Sequence, residues 1–500
     1  MLRILSHHRK VCSAITRRDL LQAGAIGAAG LTLNGLLSHH AAAKTKTDQP
    51  LASNFGRAKN CILIFLYGSP SQLETFDMKP DAPEQIRGTM QPIPSSLPGL
   101  DVCELLPETA KVMHKVSVIR SMAHPYPIHG VAYAMTGVPS IDVAMELAPH
   151  DLRHHPWFGS AVEYFDRSHR KGIETFPQNV ALPFHMSSQR TGEVYRAGPY
   201  AAFLGSSYNP VWTEYMGKAT HPVQKTLRKE TLDIWDPYVA CTRDSHFRLS
   251  AANRPAEITL DRLDRRRSLL DQFEKSRQDL ERTSPGQSLS RMQDLAYSLI
   301  SSNQVGEALD PRREPDAIRD RYGMSLFGQA CLTARRLTES GTRLVNVFWD
   351  EYGLAGDAWD THWNHYPRMK DQLMPSFDQG FSGLITDLDE RGLLDETLVA
   401  VVSEHGRTPK LNSQKGGGRD HWSRAYCTVL AGGGIARGRV IGATDQHASD
   451  VADNPISPKD VQATMYHLLG IDPHSTLPDR TGRAIPLLPD GSRVVDEILA

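Results

Sequence analysis

The sequence predicts an α/β protein with a mostly parallel sheet. Three observations carry this: continuous apolar runs of strand length, amphipathic segments of helix length between them, and a glycine where each helix must stop. The first run, Cys61-Ile-Leu-Ile-Phe-Leu-Tyr67, has no polar alternation, as befits a strand buried on both faces, and ends in Gly68-Ser69-Pro70. Val116–Ile119, Arg343–Trp349, Leu398–Ser403 and Thr428–Ala431 repeat the pattern. Leu326 to Ser340 sets Leu326, Ala330, Ala334 and Leu337 on one helical face before Gly341. Leu373 to Arg391 does the same with Leu373, Phe377, Phe381, Leu384 and Leu388; Pro375 fits only its first turn, and Gly392 closes it before the next strand. Ser457 caps a last helix, with Pro458 at its first position and Gly470 as terminator.

A chain of 500 residues has room for about three domains. Hydrophobic residues at 40% and charged residues at 23%, with 32 prolines and 38 glycines, exclude a coiled coil, a collagen and a disordered chain. A net charge of −1 gives no basic excess that would favour nucleic acid or an anionic membrane. The basic run Asp261-Arg-Leu-Asp-Arg-Arg-Arg267 is interleaved with acids and reads as a solvated helix face. Residues 151–320 are expected to form a mainly helical and loop insertion on the sheet.

Residues 1–43 are expected to be a signal peptide: Arg3, Arg9, Lys10, Arg17 and Arg18 precede an apolar run from Leu20 to Leu37, then Ala41-Ala42-Ala43. Thr16-Arg17-Arg18-Asp19-Leu20-Leu21 resembles a twin-arginine motif, and Gly24, Gly27 and Gly30 dilute the run as that export route allows. The run is too short and too polar for a stable membrane span. The expected partner is the twin-arginine export machinery and the expected location is periplasmic or secreted. Removing residues 1–43 takes five basic and one acidic side chain from 56 and 57, leaving a net charge of −5. Cys61, Cys103, Cys241, Cys331 and Cys427 remain, an odd set without C-x-x-C spacing, so neither a disulfide framework nor a zinc ribbon is expected.

Histidines and acids gather where strands end, the place an open α/β sheet puts its binding loops. One cluster follows Trp349: Asp350, Glu351, Asp357, then Trp359-Asp360-Thr361-His362-Trp363-Asn364-His365. Ser403-Glu404-His405-Gly406-Arg407 follows the Leu398 strand, and Gly418-Arg419-Asp420-His421-Trp422 precedes the Thr428 strand. Imidazoles and carboxylates without thiolates suit zinc, manganese or iron, and a pair of such ions can clamp a phosphate or sulfate ester. Trp359, Trp363 and Trp422 flank these residues and could floor a sugar-binding cleft or simply pack in the core. No Gly-x-Ser-x-Gly elbow, phosphate-cradling P-loop or dinucleotide Gly-x-Gly-x-x-Gly is present, and the triple glycines at 416–418 and 432–434 read as turns.

The leader, Gly68-Ser-Pro-Ser-Gln-Leu-Glu-Thr-Phe-Asp77 with Lys79-Pro80, Met135-Thr-Gly137, Trp359-Asp-Thr-His362, Ser403-Glu-His-Gly-Arg-Thr-Pro409, Gly418-Arg-Asp-His-Trp422 and Leu430-Ala-Gly-Gly-Gly434 together resemble the bacterial domain of unknown function 1501, which is similar to sulfatases and the alkaline phosphatase superfamily. The resemblance implies a doubly wound, alkaline phosphatase-like sheet with one or two divalent ions, zinc the expected one, on the loops after its strands. It implies Asp360, His362 and His421 as ligands of one ion and Glu404-His405 at the second, where Glu replaces the usual Asp. Glu404 is then a ligand or base, and Arg407 or Arg419 steadies the anion of a small-molecule or glycan ester. An early acidic ligand would have to come from Glu74 or Asp77.

The nucleophile departs from that pattern. The superfamily commonly places Ser, Thr or Cys ten residues before the glycine of the Leu-Thr-Gly element; here that position is Pro127. No Cys/Ser-x-Pro-x-Arg sulfatase signature is present there. Neighbouring His124 and His129 could be ligands, acid/base groups or partners of the local backbone, and His129 is the acid/base candidate. The expected function is hydrolysis of phosphate or sulfate esters without the usual nucleophile; the alternative is an inactive relative that binds a glycan or a protein.

Overall fold

The computed structural model describes residues 54–249 and 304–500, apart from 128, 130, 140–144, 146–147, 150, 152, 170–175, 187–196, 228–229 and 354–357. Eight strands form the central sheet: β1 Asn60–Leu66, β2 Val116–Met122, β3 Asn179–Leu182, β4 Val211–Trp212, β5 Leu344–Trp349, β6 Thr397–Val402, β7 Tyr426–Ala431 and β8 Arg439–Ile441, in the spatial order β8-β2-β7-β6-β1-β5-β3-β4. Pairings β1–β5, β1–β6, β5–β3, β3–β4 and β8–β2 are parallel; only β7 runs against both neighbours. The sheet is thus mixed and mostly parallel. Three of the runs, that of β5 broken only by the buried Asn346, make its centre, since every residue of β5 and β6 and all but Asn60 of β1 is buried.

Around the sheet lie α1 Pro107–Val112, α2 Val131–Thr136, α3 Phe158–His169, α4 Leu326–Glu339, α5 Met374–Glu390 and α6 Pro458–Leu468. The apolar stripes read from the sequence are the buried faces: Leu326, Ala330, Ala334 and Leu337 on α4, and Phe377, Phe381, Leu384 and Leu388 on α5. Phe327 stacks on Phe377 with centroids 5.9 Å apart, joining the two helices. Each buried leucine or phenylalanine among them stabilises the fold by about 1.5–3 kcal/mol. A π-helical turn, Met369–Leu373, leads into α5, and Pro375 sits in its first turn. The α6 N-terminus is a capping box: Ser457 accepts from the backbone while Asp460 Oδ2 accepts from the Ser457 N–H at 3.0 Å. Ser457→Ala is expected to cost about 1 kcal/mol in urea unfolding.

The described part of residues 151–320 includes strands. Within it, β3 and β4 are strands of the central sheet, and Glu214–Met216, Pro222–Leu227, Glu230–Trp235 and His246–Arg248 pair as small ribbons. The alternation of acids and bases behind the helical expectation lies at 250–303, outside the described residues. The leader also lies outside them. The five cysteines of the described chain are free. Among the described residues no helix is long and apolar enough to cross a membrane.

Candidate metal centre

Strand direction makes the site. With β7 reversed between them, β2 and β6 point the same way as β1 and β5, so four C-terminal ends lie along one sheet edge. Neighbouring strands are about 4.8 Å apart, so their loops reach one another's side chains. The loop after β1 brings Tyr67, Gly68 and Ser69; after β2 come His124 and His129; after β5, Asp360 and His362; after β6, Glu404, His405 and Arg407. A short ribbon pairing Arg407 with His421 folds the third cluster back onto the same place.

Six of the expected residues meet. His129, His405 and His421 form one group, and Asp360, His362 and His421 another, with all ligand atoms of each group within 4.8 Å of one another. Asp360 is the centre: Oδ1 lies 3.0 Å from His362 Nε2 and 3.3 Å from His421 Nε2, and Oδ2 lies 3.4 Å from His129 Nε2. Glu404 Oε1 accepts from the Gly68 N–H at 2.7 Å and stands 3.1 Å from His129 Nδ1. Tyr67 stacks against His129 with centroids 5.2 Å apart. The close approach of these loops requires Gly68, since a Cβ there would stand 2.3 Å from the Asp360 nitrogen, with φ at +88°.

These residues fit a divalent ion. His405 Nδ1 donates to the Gly406 carbonyl at 2.8 Å, which leaves Nε2 as a bare lone pair; Nε2 is buried without a partner among the described residues, as is Glu404 Oε2. His362 Nδ1 lies 2.7 Å from Asp420 Oδ1, the carboxylate-histidine arrangement that aims the other nitrogen at a metal. That other nitrogen, Nε2, then faces His421 Nε2 at 3.1 Å, where two lone pairs need a cation or a proton between them.

Charge states follow the packing. Burial pushes His405 well below the usual histidine value, with the positive charge of Arg407 in support, and burial also lowers His421. The Asp360 carboxylate raises His362 despite burial. Burial works against protonated His129, but Asp360 and Glu404 outweigh it and raise it to about 9. Burial likewise opposes the Asp360 carboxylate, yet Arg407 and three imidazoles hold it well below the ordinary range. A divalent ion held here would have to take the place of any proton on His129 and His362. Asp420→Asn removes the acceptor that orients His362 and is expected to weaken metal affinity about 10-fold, read by competition with a chromophoric chelator.

His129, the acid/base candidate, lies in one group with His405 and His421. Arg407 and Arg419, the candidates for steadying an anion, are fully buried. Arg419 gives its N–H groups to Glu74 and to the carbonyls of Thr408, Pro409 and Ile86. Glu74 is accordingly committed to Arg419 and His365, and Asp77 to Lys79 at 3.0 Å and Arg120 at 3.7 Å, so neither supplies the early ligand. His124 donates from Nε2 to the Glu404 carbonyl at 2.7 Å and accepts the Tyr126 N–H on Nδ1, a backbone-holding role. Trp359 is core, packed on Trp349 and Phe377; Trp363 and Trp422 are half-buried beside His362 and His421. Asp357 lies outside the described residues. The roles of Asp420, Tyr67 and Ser69 were missed; the only sequence signal was their position at strand ends.

The fold and the site define an α/β protein with a histidine-carboxylate cluster at the C-terminal edge of its sheet. The chain belongs to the family described as "Protein of unknown function (DUF1501)", whose model matches residues 58–499. No curated protein sequence matches it. Among solved structures, Ps i-CgsB in complex with k-i-k-neocarrahexaose is similar at 11% identity, covering 83% of this chain and 72% of that one, with a TM-score of 0.35. The PsFucS1 sulfatase from Pseudoalteromonas sp. is similar at 12% identity over 89% and 73% of the two chains, TM-score 0.35. A Bacteroides thetaiotaomicron protein titled as a 4S-sulfatase of glycosaminoglycan metabolism is similar at 12% identity over 83% and 73%, TM-score 0.34.

Proposed function

We propose that the protein is an exported, metal-dependent hydrolase of phosphate or sulfate esters, on a doubly wound sheet of the alkaline phosphatase kind, with water as its nucleophile. The observation that carries this reading is the two overlapping groups, His129 with His405 and His421 and Asp360 with His362 and His421, together with His405 Nε2 and Glu404 Oε2, buried without a hydrogen-bond partner among the described residues. Divalent ions, zinc first among them, supply Lewis-acid charge at the ester and make water reactive at neutral pH.

Asp360, His362 and His421 hold the more open position, their side chains 18%, 27% and 20% exposed, where substrate can approach. His421 belongs to both groups, yet a neutral imidazole offers one lone pair, so Glu404 completes the deeper set with His129 and His405. With Arg407 and Arg419 spent inside the fold, ions held by these residues would be the cations that face the anionic group of a small-molecule or glycan ester. The leader around Arg17-Arg18 supports twin-arginine export to the periplasm or beyond.

Pro127 favours a second reading, an inactive relative that binds a glycan or a protein at the same face. The test is metal analysis of purified mature protein, followed by assays on aryl phosphate, phosphodiester and aryl sulfate. Turnover of one ester, lost to chelator and restored by zinc, supports hydrolysis. Bound metal with no turnover on any ester supports the binding reading, and no bound metal overturns the site.

A further inference from the structure

We propose that Arg407 is a positioning residue that assembles the metal pocket before an ion arrives; this rests on the metal-dependent reading above. Arg407 lies on the loop after β6, wholly buried, and its donors reach three other segments. Nε donates to the Ser69 carbonyl at 3.2 Å, Nη2 to the Gly68 carbonyl and to Asp360 Oδ1 at 2.6 Å, and Nη1 to the Arg419 carbonyl at 3.2 Å. The segments joined are those that carry Glu404 and His405, Tyr67 to Ser69, Asp360 and His362, and His421. Irregular loops have no strand ladder to satisfy their carbonyls, so a buried fork of five N–H groups both satisfies and aligns them.

The tie reaches the ligands directly. Asp360 Oδ1, gripped by Arg407, is the oxygen that also faces His362 and His421. A guanidinium is charged at every working pH and presents its donors in one plane, so the carboxylate is held in place whether or not an ion is present. Lysine at 407 keeps the charge but cannot serve four acceptors in three segments.

The test compares full-length wild type, Arg407→Lys and Arg407→Met with Arg335→Lys. Arg335 is an equally buried arginine on α4, tied to Glu314, Asp387 and Glu339 and to no residue of the cluster. Each protein is stripped with chelator, unfolded in urea, titrated with zinc against a chromophoric competitor, and loaded with cobalt for its visible absorption. Arg407→Lys is expected to bind zinc about 10- to 100-fold more weakly, with a shifted cobalt band. Arg335→Lys is expected to lose stability while keeping wild-type affinity and spectrum. Arg407→Lys within twofold of wild type, or an equal affinity loss in Arg335→Lys, overturns the positioning role. If wild type itself binds no ion, the metal reading fails together with this inference; if wild type binds and Arg407→Lys is unchanged, only the inference fails. Should Arg407→Lys not fold, Arg407→Met is read in the same way, and failure of both to fold while Arg335→Lys folds normally assigns Arg407 a purely structural role.

Discussion

Asp360→Ala is expected to abolish metal binding altogether, with affinity falling by at least about 100-fold. Both carboxylate oxygens are in use: Oδ1 faces His362 at 3.0 Å and His421 at 3.3 Å, and Oδ2 faces His129 at 3.4 Å. Without it, His362, His421 and the Arg407 guanidinium lose the carboxylate they share, and a divalent cation would enter against the Arg407 charge. Asp360→Asn keeps the shape and removes the charge, so it separates the two contributions; it too is expected to lose the ion. Elemental analysis after dialysis against zinc reads both variants. Near-wild-type zinc in Asp360→Ala would place the ion elsewhere.

Arg419→Ala is expected to have the largest effect on stability, about 3–5 kcal/mol in urea unfolding, as for any buried pair broken on one side. Arg419 and Glu74 are both fully buried, and the guanidinium also satisfies the carbonyls of Thr408 at 2.9 Å and Ile86 at 2.7 Å. Removing it strands the Glu74 carboxylate with His365 at 3.4 Å as its remaining ion partner. Replacing both partners, as Arg419→Met with Glu74→Leu, is expected to recover much of the loss, because no unpaired charge remains. Burial works against ionised Glu74, yet Arg419 and His365 lower its carboxyl to about 2. Folded below unfolded, the contribution is complete above the ordinary value of about 4.3 and is lost as pH falls through about 2. A loss under about 1 kcal/mol in Arg419→Ala would show the pair to be dispensable.

The strands were legible because burial on both faces leaves unbroken apolar runs. Leu344–Trp349 and Thr397–Val402 fall within a residue of the runs read from the sequence. Helix α4 was legible for a different reason: periodicity sets its face, and Gly341, at φ +103°, ends it. The reversal of β7 leaves no mark in the composition of its own run. Its signal lies in the connection, since no helix intervenes between Val402 and Tyr426 and a parallel neighbour would need a crossover of that kind. Strands β3 and β4, of four and two residues, are too short to stand out.

At the site, residue type and strand-end position marked the three clusters that contain Asp360, His362, Glu404, His405 and His421, and the family resemblance supplied their grouping. Direction was not legible. An arginine beside a ligand histidine reads the same whether it points to solvent or inward, and only the folded loops show that carbonyls of Gly68, Ser69, Thr408 and Pro409 consume Arg407 and Arg419. His129 comes close to the other ligand candidates for a related reason: the end of β2 lies on the same edge as β6, which depends on the β7 reversal.

Crystals soaked in zinc and measured at the zinc absorption edge test the metal centre most directly. The predicted result is an anomalous peak about 2.0–2.2 Å from Asp360, His362 and His421. A peak on other residues, or none in the cluster at saturating zinc, would contradict it.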